Sequence, residues 1–98
     1  MIRVIIERSL IPGSESAYYR ATRQLKQKAS HMPGYISGEI LVDPENPLRC
    51  LILSTWQDLE YWEAWAKSEA RKIAKDIIRL TLTTDEIVSV YQAAPMAN

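Results

Sequence analysis

Pro-Gly pairs at positions 12–13 and 33–34 bracket a stretch whose apolar residues recur every three or four positions, while the chain on either side repeats every two. Ahead of the first pair, Ile2, Val4 and Ile6 alternate with Arg3, Ile5 and Glu7, which predicts a β-branched strand ending near Leu10. Between the pairs, Ser14 is a suitable N-cap, and Tyr18, Ala21, Leu25, Ala29 and Met32 mark one face of a helix from about Glu15 to about Ser30. After the second pair, Ile36, Gly38, Ile40 and Val42 alternate with Tyr35, Ser37, Glu39 and Leu41, giving a strand with one apolar and one mixed face.

Asp43-Pro44-Glu45-Asn46-Pro47 reads as a loop, and Leu48 to Trp56 as a nearly continuous apolar strand that closes a hairpin. Asp58 is positioned to cap a second helix with Leu59, Trp62, Ala66, Ala70, Ile73, Ile77 and Leu80 on one stripe. Ser68 can cap it anew, so a break is expected near Lys67. Thr81 to Thr84 suits a helix exit, Glu86 to Gln92 a last strand, and residues 93–98 a flexible tail. The order β-α-β-β-α-β predicts a single α+β domain over residues 1–98. Its fold is ferredoxin-like, a four-stranded antiparallel sheet with helices on one face. The other face carries large apolar residues and should be covered, most economically by a second copy in a homodimer.

Twelve basic residues balance twelve acidic ones without a run of like charge, which argues against nucleic acid and against an anionic membrane surface. The N-terminal residues lack the apolar core of a secretory signal and no apolar run is long enough to span a membrane, so a cytoplasmic location is expected. Cys50 lies in an apolar run and reads as a buried structural thiol. One histidine and one cysteine, far apart, cannot build a nitrogen- or sulfur-rich metal site within one chain. Three glycines without phosphate-cradling spacing give nucleotide cofactors no support.

Pro33-Gly34-Tyr35-Ile36-Ser37-Gly38-Glu39-Ile40-Leu41, then Leu53-Ser54-Thr55-Trp56-Gln57-Asp58 and Trp62-Glu63-Ala64-Trp65-Ala66-Lys67-Ser68, resemble the antibiotic biosynthesis monooxygenase domain family over nearly the whole chain. The resemblance implies βαββαβ subunits that pair sheet to sheet as a dimeric α/β barrel, with a pocket between sheet and helices in each. It also implies cofactor-free oxygenation of a small aromatic or polycyclic molecule, such as a quinol or anthrone. A haem-degrading branch pairs a late strand-one asparagine with a helix-two tryptophan and a histidine about ten residues on. Here the tryptophan matches Trp65, but the other positions fall on Glu7 and Lys75, which disfavours haem. The polyketide oxygenases also place an asparagine near that tryptophan, whereas the asparagines here are Asn46 and Asn98.

Three tryptophans fall between positions 56 and 65, and their helical phase separates them. At about 100° per residue from Leu59, Trp62 lies at about 60° and Trp65 at about 120°, so Trp62 is expected in the core and Trp65 on the rim. Trp65 is the first candidate for holding a substrate ring, with Tyr35 and Glu39 on strand two as further binding residues. Glu7 is the candidate base, because a carboxylate desolvated on the covered side of the sheet could deprotonate a phenol or carbon acid. His31, at the end of the first helix, is a weaker acid–base candidate, since its place is explained by the helix dipole. Against the enzyme stands a ligand-binding or structural dimer of the same fold, its tryptophans serving packing.

Overall fold

The chain from Met1 to Met96 is described by a computed structural model. Among these residues the strands are β1 (Ile2–Ser9), β2 (Tyr35–Asp43), β3 (Asn46–Trp56) and β4 (Ile87–Gln92), and the helices α1 (Glu15–Ala29), α2 (Leu59–Ala66) and α3 (Glu69–Arg79). The strands form one antiparallel sheet in the order β2-β3-β1-β4, giving the ferredoxin-like βαββαβ arrangement. Residues 93–96 carry no regular structure, and the last two positions of the expected tail lie outside the described residues.

The period of two in β1 decides which side of the sheet each residue meets. Ile2, Val4, Ile6 and Arg8 are buried, whereas Arg3, Glu7 and Ser9 are exposed and Ile5 is half-buried. The buried set faces Trp56, Ser54, Ile52 and Cys50 across the β1–β3 register, and this is the face the helices cover. Trp56, Tyr18, Leu10, Ile78 and Val4 form the innermost core. Each buried aromatic removes about 150–250 Å² from water, of order 4–6 kcal/mol at about 25 cal/mol per Å².

Two local features depart from simple periodicity. In β2, Tyr35 pairs with Trp56 and Ser37 with Thr55, so Ile36 is an extra residue accommodated in a bulge. The bulge places Tyr35 on the covered face with Gly38 and Ile40, and separates it from Glu39, with which strict alternation grouped it. The second departure is the break between α2 and α3. Asp58 caps α2 through the Tyr61 N–H, and Ser68 caps α3 through the Arg71 N–H, as the sequence suggested.

That break resets the helical phase, so a single stripe projected over both helices fails. Trp65, expected on the rim, is 4% exposed, whereas Ile73 and Ile77, expected in the core, are 51% and 54% exposed. Arg71 and Ile78 take the inward positions of α3. The expected five-residue loop also narrows to a tight turn at Pro44-Glu45, where Asp43 Oδ1 accepts the Glu45 N–H at 2.8 Å.

On the opposite face of the sheet, Leu41, Ile87 and Tyr91 are exposed beside half-buried Ile5, Leu51 and Leu53. None of the helices lies over this side.

Candidate functional site

Four aromatic residues from three elements converge between the sheet and α2. Trp56, at the end of β3, donates its indole N–H to Ser54 Oγ at 3.2 Å. Trp65 stacks on it, with centroids 6.5 Å apart and planes at 24°, while Trp62 and Tyr35 meet it edge-on at 6.0 Å and 5.3 Å. Beside this cluster, under α1, is a cavity of about 50 Å³. That is roughly a third of an apolar cavity known to hold benzene, so a ring enters only when a side chain swings aside. Tyr35 and Lys26 are placed to do this, since both reach over Gly38 at the β2 border of the cavity. Burial raises the pKa of the Tyr35 phenol, which favours its neutral form.

The far wall of the cavity is polar. Arg8, whose side chain is 1% exposed, donates from Nε at 3.1 Å and from Nη2 at 3.0 Å to Glu86 Oε1, and Arg71 Nη2 donates to Glu86 Oε2 at 3.1 Å. Both cations also lie over rings, Arg8 at 5.7 Å from Tyr18 and Arg71 at 5.4 Å from Trp62. The Thr22 hydroxyl, on α1 beside the cavity, is buried and has no hydrogen-bond partner among the described residues. The lining thus runs from tryptophan faces to two guanidinium groups and an orphan hydroxyl.

The predicted residues divide across this map. Trp65, Tyr35 and Glu39 all belong to the cavity lining, although the register groups Glu39 with Leu53 and Ile5 on the other face. Glu7 does not face the helix-covered side as expected. It is exposed on the opposite face, where it borders a separate hollow of about 330 Å³ with Asp43, Arg49 and Asp85. The reason is strand alternation, since Arg8 takes the inward phase of Ile2, Val4 and Ile6. His31 is exposed in the turn after α1, its N–H donating to the Lys28 carbonyl at 3.3 Å, and belongs to neither lining.

The family model described as antibiotic biosynthesis monooxygenase matches residues 1–76. The chain belongs to the antibiotic biosynthesis monooxygenase family. Among curated relatives of this monooxygenase-family chain, Protein SchA of Streptomyces halstedii is 29% identical over 68 residues. The match covers 69% of this chain and 18% of SchA, so the chain spans a small part of that relative's length. A conserved protein from Methanosarcina mazei Go1 superposes with a TM-score of 0.90 at 18% identity, covering 95% of this chain and 92% of that one. SnoaB of Streptomyces nogalater, described as a cofactor-independent oxygenase, superposes with a TM-score of 0.83 at 10% identity, covering 97% and 95%. At such identities these two are likenesses of fold.

Within this monooxygenase family, the residues present do not suit haem. Lys75 is exposed on α3, and His31 is not part of the cavity lining. Among the described residues, no three side chains able to hold a metal come together. No helix is long and apolar enough to cross a membrane.

Sequence reading missed Arg8, Thr22, Arg71 and Glu86. Arg8 continues the inward phase of β1, and Thr22 lies four residues from Tyr18 and three from Leu25 on the buried stripe of α1, so both carried a readable signal. Arg71 became legible only once the Ser68 cap reset the helix. Glu86, just before β4, carried no periodic signal of its own.

Proposed function

We propose that this protein binds a small aromatic molecule between the sheet and α2 and oxygenates it without a cofactor. The observation that carries this reading is the stack of Trp65 on Trp56 in the lining of a cavity that Tyr35 also borders, over Gly38. Flat indole faces suit a flat ring, and holding that ring beside dioxygen supplies orientation. The reactive form is the substrate anion, which passes an electron to dioxygen. The resulting radical and superoxide combine, and the peroxide formed loses water. For a methylene flanked by aromatic rings, one oxygen atom stays as a carbonyl and the other leaves as water with the two methylene hydrogens. Membership of the family and the description of SnoaB as a cofactor-independent oxygenase support the reaction class. Trp65 and Tyr35 are the binding residues in this proposal, whereas Glu7, on the other side of the sheet, has no part in it.

The same proposal includes a homodimer, supported by the exposed Leu41, Ile87 and Tyr91 on the uncovered sheet face. A solution mass near the 11.2 kDa of one chain at micromolar concentration would contradict it.

A second reading, a dimer that binds or merely packs without turnover, is favoured by the small cavity volume. Oxygen uptake by the metal-free protein on anthrone and quinol substrates separates the two. The enzyme is expected to consume oxygen and to lose that activity in Trp65→Ala while its circular dichroism is retained. Turnover unchanged by that substitution would overturn the site.

A further inference from the structure

Resting on the aromatic-ligand reading above, we propose that the cavity selects aromatic ligands bearing an anionic oxygen. Their ring meets Trp65 and Tyr35, and the oxygen is held by Arg71, Arg8 and the Thr22 hydroxyl. The charge balance of the polar wall is the first reason. Two guanidinium groups share one carboxylate, and side-chain exposures of 1% for Arg8, 7% for Arg71 and 3% for Glu86 take all three groups out of water. One positive charge is therefore left without a partner in a largely dry site, where charge is expensive unless matched. Glu86 is absent from the cavity lining, which holds Arg8, Arg71 and Lys26 against the single carboxylate of Glu39, so the surface a ligand meets is cationic on balance.

Donor capacity is the second reason. A guanidinium carries five N–H donors, and among the described residues the Arg71 side chain makes one hydrogen bond, to Glu86. Arg8 spends Nε and Nη2 on Glu86 and reaches the Tyr18 hydroxyl from Nη1 at 3.5 Å.

Thr22 is the third and independent reason. Its residue is 97% buried and lines this cavity, and among the described residues the hydroxyl has no partner, which is destabilising unless something arrives to bond it. A phenolate, enolate or carboxylate oxygen is an acceptor for each of these donors. A neutral ring of the same shape would leave the charge and the hydroxyl as they are. The anion that reacts with dioxygen is thus the form the wall stabilises, and its proton is lost to water before or during entry.

Equilibrium dialysis of the full chain against 4-nitrophenol, at a pH where it is ionised, and against 4-nitroanisole, its neutral methyl ether, tests this directly. The phenolate is expected to bind about tenfold tighter or better, the scale of one charge-assisted hydrogen bond. Arg71→Met leaves the neutral Arg8–Glu86 pair and should bring the two affinities together with 4-nitroanisole binding retained. Thr22→Val, nearly isosteric and safe for folding, should cut the preference several-fold while raising the melting temperature. Running 4-nitrobenzoate in parallel identifies the better oxygen, and tight binding of either anion supports the inference. Equal affinity of phenolate and ether in the wild type overturns it and leaves the aromatic pocket standing, as does a preference that survives both substitutions. Binding of none of the probes overturns the pocket and this inference together.

Discussion

The Tyr35 hydroxyl occupies the space that a Cβ on Gly38 would take. Three residues apart on β2, the two share a face because the bulge at Ile36 absorbs the odd position. Tyr35 is thereby laid over Gly38 at the border of the cavity. Gly38→Ala should displace the far end of Tyr35 and loosen this border of the cavity at a stability cost of about 1–3 kcal/mol. Acrylamide quenching of the tryptophans is expected to rise in this variant. Unchanged quenching would show that Tyr35 does not guard the cavity.

Gly34 is a different case. It has φ of +80°, and a Cβ there would run into the ring and Cβ of Tyr61 on α2. Gly34→Ala meets both the left-handed backbone penalty, about 1–2 kcal/mol, and a clash with atoms close to a helix backbone. A melting temperature lower by about 4–8 °C per kcal/mol lost is expected in calorimetry. Gly13, with φ of +91° and nothing near its missing Cβ, should give a smaller loss on the same substitution.

Filling the unpaired site should stabilise the empty protein. Thr22→Val exchanges a buried hydroxyl without a partner for a methyl of nearly the same volume, a gain of about 1 kcal/mol in urea unfolding. A loss of similar size would mean that bound water already satisfies the hydroxyl.

Removing the central anion should do the reverse. Glu86→Gln leaves two buried guanidinium groups facing one neutral amide, at a cost of about 3–5 kcal/mol. Arg71→Met, which leaves a neutral pair, should cost less. If chemical denaturation ranks the two variants the other way, the charge balance drawn for this wall is wrong.

Tyr19 gives a pH-dependent test away from the site. Its hydroxyl shares a 3.3 Å hydrogen bond with Cys50 Sγ, and that bond, followed by desolvation, pushes its pKa up to about 12. The folded value lies above the unfolded one, so its contribution is complete below about pH 10 and is lost as pH rises through about 12. Ultraviolet titration of tyrosinate should show, beside the raised Tyr35, a late-ionising residue that moves back toward 10 in Cys50→Ala.

Element order, hairpin pairing and the aromatic segment were legible because each rests on local periodicity and turn chemistry. The break after Ala66 was legible too, since Ser68 is a good cap, yet its consequence for phase was not carried through to Trp65, Ile73 and Ile77. A cap tells where a helix restarts but not the angle at which it does so. The bulge at Ile36 had no sequence mark, and it puts Tyr35 on the covered face with Gly38 and Ile40. Glu7 was placed wrongly because a strand pattern fixes two faces without saying which one the helices cover. The cationic wall draws on β1, α3 and the residue before β4, and only tertiary packing brings Arg8, Arg71 and Glu86 together.

The interruption at Lys67-Ser68 puts the Trp65 indole and the Arg71 guanidinium on separate short rods, each with its own cap. Apart from Trp62, on whose ring Arg71 rests, substitutions along the first rod can reshape the slot for a different ring system while the charge stays where it is, and changes along the second can retune charge. A chain divided in this way can exchange one substrate for another in small steps, each of which leaves half of the recognition intact.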